Sequence, residues 1–338
     1  MNPLSEAIDA FGLTTVWTYL ALFLATSLLM IWRLEALLDH GLQGTALGTL
    51  VMPYCSGLGN LIFVSVVASG RGPVGEVLTN CLVNNVTNLT LLLGLPALIW
   101  GLSLATPKKK SARTAGKKAG ADAAVTEHIN RLSLLLTLTA VLFFSGVTWA
   151  LGADGTLDAS DGLVLVALFL FWQSFQVYDV LKHNVSQRRS FGPLFYLDVF
   201  FLILCAYGQY VSIDWLVSWL TAQKGGFINV SHLGWLSGWL MVVPNALLAF
   251  FYAARRRADI VYASQVGDGH ICIPLSIGLC ALIKPIAVPH LFNLGLGILM
   301  SAALVHALCV MIGKGLPRWM GWPLLATYGW FVAAGFSS

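Results

Sequence analysis

Apolar runs long enough to cross a hydrocarbon layer of about 30 Å as helices recur along the whole chain. Their pattern predicts ten spans, at 14–33, 43–69, 74–100, 131–151, 161–181, 193–222, 232–254, 259–283, 289–313 and 318–336. The breaks carry turn residues, as in Gly152-Ala-Asp-Gly-Thr, or clusters of charge. Residues 101–130, rich in Lys, Ala, Gly and Thr, lack apolar periodicity and read as a flexible, solvated loop. The expected fold class is an all-α integral membrane protein. Its parts are a first-repeat core at 1–100, a basic loop at 101–130, spans four and five within 131–190, and a second half at 191–338.

Composition agrees with a lipid-facing surface. Hydrophobic residues make up 57% and charged residues 10% of the 338 positions, and the mean hydropathy is +0.79. A soluble chain of this length needs more charge to cover itself. The residues MNPLSEAIDAFGLTT carry no basic segment ahead of the first apolar run, so a cleaved signal peptide is not expected. Cys55, Cys81, Cys205, Cys272, Cys280 and Cys309 all fall in apolar segments without metal or disulfide spacing, and read as buried packing residues.

The placement of charge orients the chain. With ten spans, one face holds Arg33, Lys108, Lys109, Lys110, Arg113, Lys117, Lys118, Arg131, Lys182, Arg188, Arg189, Arg255, Arg256, Arg257, Lys314 and Arg318. The other face holds Arg71, Lys224 and Lys284. By the positive-inside rule the first face is cytoplasmic, the loop 101–130 is inside, and both termini lie outside a bacterial-inner-membrane type bilayer. Trp100, Trp149, Trp215, Trp219 and Trp330 near span ends fit an aromatic belt. The Lys-rich loop reads as a topology determinant touching anionic headgroups.

Two segments repeat. Setting Asn60 over Asn245 pairs Leu61-Ile62 with Ala246-Leu247 and matches the basic turn after each helix. Setting Asn84-Asn85 over Asp268-Gly269 pairs Asn88 with Cys272 and Gly94-Leu95 with Gly278-Leu279. Five spans per half reverse the direction of the second copy, and inverted repeats with interrupted helices mark secondary transporters. The interruptions are expected at Pro53, Gly57 and Gly59, at Pro244, and at Gly267, Gly269 and Pro274. Helix breaks at the midplane free backbone groups for a ligand or water.

This layout resembles the cation/calcium exchanger superfamily, including Leu34-Glu35-Ala36 leading to Leu42-Gln-Gly-Thr ahead of the first repeat. The resemblance covers both repeats. It implies alternating access, a peripheral pair formed by spans one and six, and Na⁺ or H⁺ as driving ion. In that family each repeat brings a glutamate to the midplane to hold Ca²⁺ or Na⁺; those positions here are Asn60 and Asn245. The Thr-Ser before each glutamate becomes Ser56-Gly57 and Met241-Val242. The Ser-Asn pair stands as Asn84-Asn85 with Asn88 in one repeat, and as Asp268-Gly269 with Cys272 in the other.

Ca²⁺ takes six to eight oxygens, several of them anionic. Amides supply oxygen dipoles without charge, and Asp268 is the single acid among the aligned positions. The ion-binding candidates are therefore Asn60, Asn245, Asn84, Asn85, Asn88, Asp268 and Ser56, with Asp268, Asn60 and Asn245 as metal ligands if a metal binds. The transported species is a small cation or a small polar solute, and no bound cofactor is expected.

Asp268 is either an ion ligand or a cap on a break at Gly269. His270 is a proton-coupling candidate beside it or a packing residue. Asn60 and Asn245, like the stripe Asn84, Asn85 and Asn88, read as a site or as interhelical hydrogen-bonding groups. Ser264, like Ser56, reads as a weaker site candidate or as bonding its own backbone, Lys284 as snorkelling rather than a substrate ligand, Glu76 as suited to a helix N-terminus, and His306 as a satisfied interior histidine with a proton relay as the alternative. No phosphate loop, zinc spacing or nucleophile triad is present, so neither an enzyme nor a nucleic-acid binder is expected. A transporter of an organic solute and a non-transporting scaffold for a protein partner remain as alternatives.

Overall fold

The computed structural model describes residues 3–39, 52–104, 117–184, 192–313 and 315–337. The chain is almost wholly helical there. The helices and short strands, in order, are α1 (Pro3–Ala10), α2 (Val16–Asp39), α3 (Met52–Val66), α4 (Gly75–Val86), α5 (Leu92–Trp100), β1 (Leu102–Ser103), α6 (Lys117–Leu151) and β2 (Thr156–Leu157). They continue as α7 (Ala159–Asn184), α8 (Pro193–Thr221), α9 (Leu233–Ala254), α10 (Ala258–Ile271), α11 (Gly278–Ile283), β3 (Ile286–Ala287), α12 (Phe292–Gly313), β4 (Gly315–Leu316) and α13 (Gly321–Phe336).

Eight helical stretches among the described residues are long and apolar enough to cross a bilayer. They are Val16–Leu34, Gly75–Trp100, Arg131–Asp154, Ala159–Tyr178, Pro193–Thr221, Val230–Ala254, Ala258–Ile283 and Phe292–Gly313. Of the predicted second span, residues 43–51 lie outside the described residues, and the remainder forms α3 and its apolar continuation to Arg71. The predicted tenth span is α13, an apolar helix of 16 residues.

Two expectations need correction. Residues 117–130, expected as loop, form the start of α6, while residues 105–116 lie outside the described residues. The run KKAGADAAVTEHIN is rich in strong helix formers and is continuous with a membrane span, which removes the nucleation cost.

The expected breaks at Gly57, Gly59, Pro244, Gly267 and Gly269 are not breaks: α3, α9 and α10 run helically through them. Backbone irregularity takes the form of π turns instead, at Val67–Arg71 after α3, where Gly70 takes a positive φ, at Thr87–Leu91 after α4, and at Cys272–Ile277, which contains Pro274, after α10. The glycines serve close packing. A Cβ at Gly59 would meet the Met241 sulfur, and one at Gly269 would lie 3.1 Å from Asn85 Oδ1.

The packing pairs particular helices. α2 lies along α8, α4 along α9, α3 against α10, and α6 along α12. α7 packs on α11 and α13 on α5. Both of these last contacts are made through glycine pairs: a Cβ at Gly162 would lie 2.7 Å from Gly278 O, and one at Gly94 would lie 3.3 Å from Gly321 O. Small residues let the backbones approach where lipid offers no hydrophobic drive. The strands pair antiparallel as β1 with β4 and β2 with β3, tying the turns after α5 and α12 and the turns before α7 and after α11.

Asp158 begins α7 with a reciprocal cap. It accepts from the Ser160 and Asp161 N–H groups while its own N–H donates to Asp161 Oδ2. The Ser160 hydroxyl and these N–H groups hold its carboxyl below the usual range.

Candidate functional site

The four helices α3, α4, α9 and α10 cross around one buried carboxylate. Asp268, fully buried on α10, accepts hydrogen bonds at Oδ2 from Asn84 Nδ2 at 2.7 Å, Asn88 Nδ2 at 2.9 Å and Asn245 Nδ2 at 3.3 Å. At Oδ1 it accepts from the Cys272 thiol at 3.5 Å. Helical periodicity explains the convergence from α4, since Glu76, Asn80, Asn84 and Asn88 recur every fourth residue and therefore share one face. The face continues outward in two further cross-helix bonds to α9. Asn80 Nδ2 donates to Ser237 Oγ at 2.9 Å, and the Gly234 N–H donates to Glu76 Oε2 at 2.6 Å. Glu76 thus serves a helix N-terminus as expected, but that of α9.

Gly57 brings the α3 backbone onto the acid: a Cβ there would lie 3.1 Å from Asp268 Oδ1. Asn60, one turn further along α3, is fully buried, and neither its Nδ2 nor its Oδ1 has a partner among the described residues. The Oδ1 atoms of Asn84 and Asn88 are likewise buried without partners. A half-turn of an amide exchanges its nitrogen for its oxygen without moving the chain, so these side chains can present either face to the centre.

No basic side chain pairs with Asp268 among the described residues. Burying an unpaired carboxylate costs several kcal/mol, and each amide bond to it returns about 1.5–3 kcal/mol. The amides hold the acid in place without neutralising it. When ionised, the acid offers one unit of negative charge to a cation; otherwise it holds a proton.

Asn84, Asn88, Asn245 and Asp268 are thus brought together. Asn85 is turned aside, with Nδ2 donating to the Cys81 carbonyl at 2.8 Å. Ser56 lies in α3, and its side chain falls outside the described residues. His270, two residues from Asp268, points elsewhere: its ring stands 6.3 Å, edge-on, from the Trp172 ring of α7, and no hydrogen bond joins it to Asp268 among the described residues. Ser264 donates to the Val261 carbonyl at 3.0 Å, as expected of an isolated serine.

His306 is buried and its Nε2 donates to the Leu89 carbonyl in the π turn at 2.8 Å. Lys284 is exposed just past the end of α11. The sequence reading missed two groups. Gln265, one turn before Asp268, donates to the Asn245 carbonyl at 3.1 Å, and its i−3 spacing was the available signal. The Cys272 thiol touches the acid rather than merely filling space, as its i+4 spacing allowed.

A cleft opens beside this cluster. Phe23, Ser27, Ile31 and Leu34 of α2 and Gln209 of α8 form one wall; Gly59, Met241, Pro244, Asn245, Leu248 and Ser264 form the other. Asn245 therefore faces both the cleft and Asp268. The wall of α2 and α8 is knit as a unit by Gln209 Nε2 to Ser27 Oγ at 3.1 Å, Arg33 to Asp198 at 3.0 Å, and Tyr19 stacked 4.2 Å from Trp215. Arg71, at the end of the second predicted span, reaches across to Asp214 at 2.9 Å and Ser218 at 3.0 Å on α8.

Solved structures of one protein share this fold. The sodium-calcium exchanger NCX_Mj soaked with Na⁺ and Sr²⁺ superposes with a TM-score of 0.65 at 18% identity, over 94% of this chain and 96% of that one. The same exchanger soaked with Na⁺ and no Ca²⁺ gives 0.66 at 18% identity, over 94% and 98%. Soaked with Na⁺ and Ca²⁺ it gives 0.64 at 18%, over 94% and 95%. Among functionally curated proteins none matches. The family described as sodium/calcium exchanger protein matches at residues 11–178 and 186–336. With nearly its whole length matched in two halves, the chain belongs to the sodium/calcium exchanger protein family.

Proposed function

We propose that this protein is an ion antiporter that moves a small cation through the Asp268 cluster by alternating access, with Na⁺ or H⁺ as the coupled ion. Its family consists of membrane transporters rather than enzymes. The observation that carries the reading is the fully buried Asp268, held by three amides beside a cleft and with no basic partner among the described residues. One charge and neutral amide oxygens suit a monovalent cation or a proton better than Ca²⁺, which needs more anionic oxygen.

The architecture in this reading is ten spans in two inverted halves, both termini outside and residues 101–130 cytoplasmic. Exchanging the halves maps the packing onto itself: α4 on α9 becomes α10 on α3, and α7 on α11 becomes α13 on α5. The two strand pairs and the two glycine contacts, Gly162 with Gly278 and Gly94 with Gly321, exchange likewise, in support of the repeat. The π turns at Thr87–Leu91 and Cys272–Ile277 stand at matching places, the first containing Asn88 and the second beginning at Cys272. The α2/α8 pair is the element that moves. The cleft runs between it and the rest of the bundle, while Arg71 and Asp214 tie the two at the opposite end of α8 from Arg33 and Asp198.

The test is radiolabelled Na⁺ and Ca²⁺ uptake into proteoliposomes under imposed Na⁺ and pH gradients. Gradient-driven Na⁺ uptake that Asp268→Asn abolishes supports the reading. Absence of flux of either ion under every gradient overturns it. In that case a small polar organic solute is the next reading, favoured by the neutral polar groups Ser27, Gln209, Asn245 and Ser264 in the cleft wall.

A further inference from the structure

Cys272 follows Asp268 by four residues on the same face of the helix, at the first position of the π turn Cys272–Ile277. Its sulfur is fully buried, 3.5 Å from Asp268 Oδ1 and 3.5 Å from Asn84 Nδ2. Thiols of this kind ordinarily just fill space. This one touches both the acid and Asn84, and the Oδ1 atoms of Asn84 and Asn88, the two α4-face amides that hold the acid, are buried without partners among the described residues.

The distance is informative. An ion bound tetrahedrally, about 2.3 Å from sulfur and about 2.1 Å from a carboxylate oxygen, holds those two atoms about 3.6 Å apart. The Sγ to Oδ1 separation of 3.5 Å therefore matches the bite of a single such ion, as well as a thiol-to-carboxylate hydrogen bond. With the Asn84 and Asn88 amides turned to present oxygen, the side chains around Asp268 on α4, α10 and their π turns would offer such an ion two amide oxygens besides the carboxylate and the sulfur.

Charge then separates hard ions from soft ones. Na⁺ and Ca²⁺ take oxygen and leave a thiol protonated, so they meet only the single charge of Asp268. A soft or borderline divalent ion binds sulfur as thiolate. The S–H bond breaks, its electron pair passes to the metal, and the proton leaves to solvent. The same side chains then carry two negative charges, which match a divalent ion.

We propose that Cys272 is a ligand of the central site and makes it a carboxylate–thiol site for soft divalent cations of the zinc and cadmium class. The proposal rests on the reading of the Asp268 cluster as a cation site. Selectivity among divalent ions is thereby set by sulfur, at a position where the repeat partner Asn88 offers an amide.

The experiment is a Cd²⁺ titration of the purified full-length protein, read by the ultraviolet sulfur-to-cadmium charge-transfer band and by equilibrium dialysis. Comparison with Cys272→Ser and Cys272→Ala removes the contribution of the other thiols, and a thermal melt checks that each variant is folded. The expected result is one high-affinity Cd²⁺ with a band absent from both variants, affinity lowered about tenfold or more in each, and no displacement by excess Ca²⁺. A band equal in wild type and variants, or no Cd²⁺ binding by the wild type, overturns the proposal. Binding is read without any gradient, so the two readings fail separately: a missing Cys272-dependent band with intact Na⁺ flux sinks only the thiol ligand, and missing flux sinks the transport reading.

Discussion

At the scale of single residues the site is defined by what Asp268 lacks. Three amides and a thiol address it, and no cation among the described residues does. Asn60 is fully buried, one turn along α3 from the glycine that meets the acid, with both amide atoms unpartnered among the described residues. An acid there would double the anionic charge facing an ion. Asn60→Asp is therefore expected to raise Ca²⁺ affinity by about tenfold or more, measured by calorimetry and by Ca²⁺ uptake. Unchanged Ca²⁺ binding would place Asn60 outside the ion's reach.

Gly57 gives the converse case. A Cβ would lie 3.1 Å from Asp268 Oδ1 and 3.2 Å from Ile271 Cγ2, so Gly57→Val must push the acid off its amides. Transport is expected to fall by about tenfold or more, and the thermal midpoint in detergent to fall as well through overpacking of the α3/α10 contact; wild-type transport by the folded variant would refute the contact. The polar residues were legible in the sequence through their spacing. That His270 faces away from Asp268 follows from the same spacing, since two residues along a helix are on opposite sides, but its partner there, Trp172, was not legible.

At the scale of elements, glycines in this chain mark close helix contacts rather than breaks. The α7/α11 crossing shows the difference. A Cβ at Gly162 would lie 2.7 Å from both Gly278 O and Leu282 N, backbone atoms that cannot rotate away. Gly162→Ala is expected to destabilise by about 1–3 kcal/mol. Gly297→Ala, on the open side of α12 with no atom within 4 Å of its Cβ, should be neutral or stabilising by about 0.5–1 kcal/mol. Thermal unfolding in detergent compares the two, and equal midpoints would refute the contact. Sequence reading located the Gly and Pro positions but treated them as interruptions. A glycine in a helix has the same local signature whether it frees the backbone or admits a neighbour, and only the neighbour decides.

At the scale of the whole molecule the question is relative movement. The α2/α8 pair is bonded within itself and touches the rest across the cleft and through Arg71 with Asp214. If flux requires that pair to move, a short bifunctional thiol reagent joining Arg71→Cys to Asp214→Cys in a chain freed of its other cysteines should arrest Na⁺ uptake. A cleavable reagent should restore it on reduction. Full flux in the crosslinked protein would rule out movement at this contact.

The sequence by itself determined the apolar character of the surface, the extent of most helices, and the family. Each of these depends on quantities summed along the chain, namely hydropathy over a span and polar spacing around a helix. It also placed Asn84, Asn88, Asn245 and Asp268 among the site candidates, because a polar side chain in a membrane helix must find a polar partner inside the bundle. Only the tertiary structure decided that the three amides share the Asp268 carboxylate, that Asn85 turns away from it, that His270 meets Trp172, that Cys272 touches the acid, and that the chain runs through π turns rather than broken helices. Those outcomes depend on which faces of α3, α4, α9 and α10 meet at the crossing. Contacts between helices far apart in sequence set that meeting, and no local pattern along the chain encodes it.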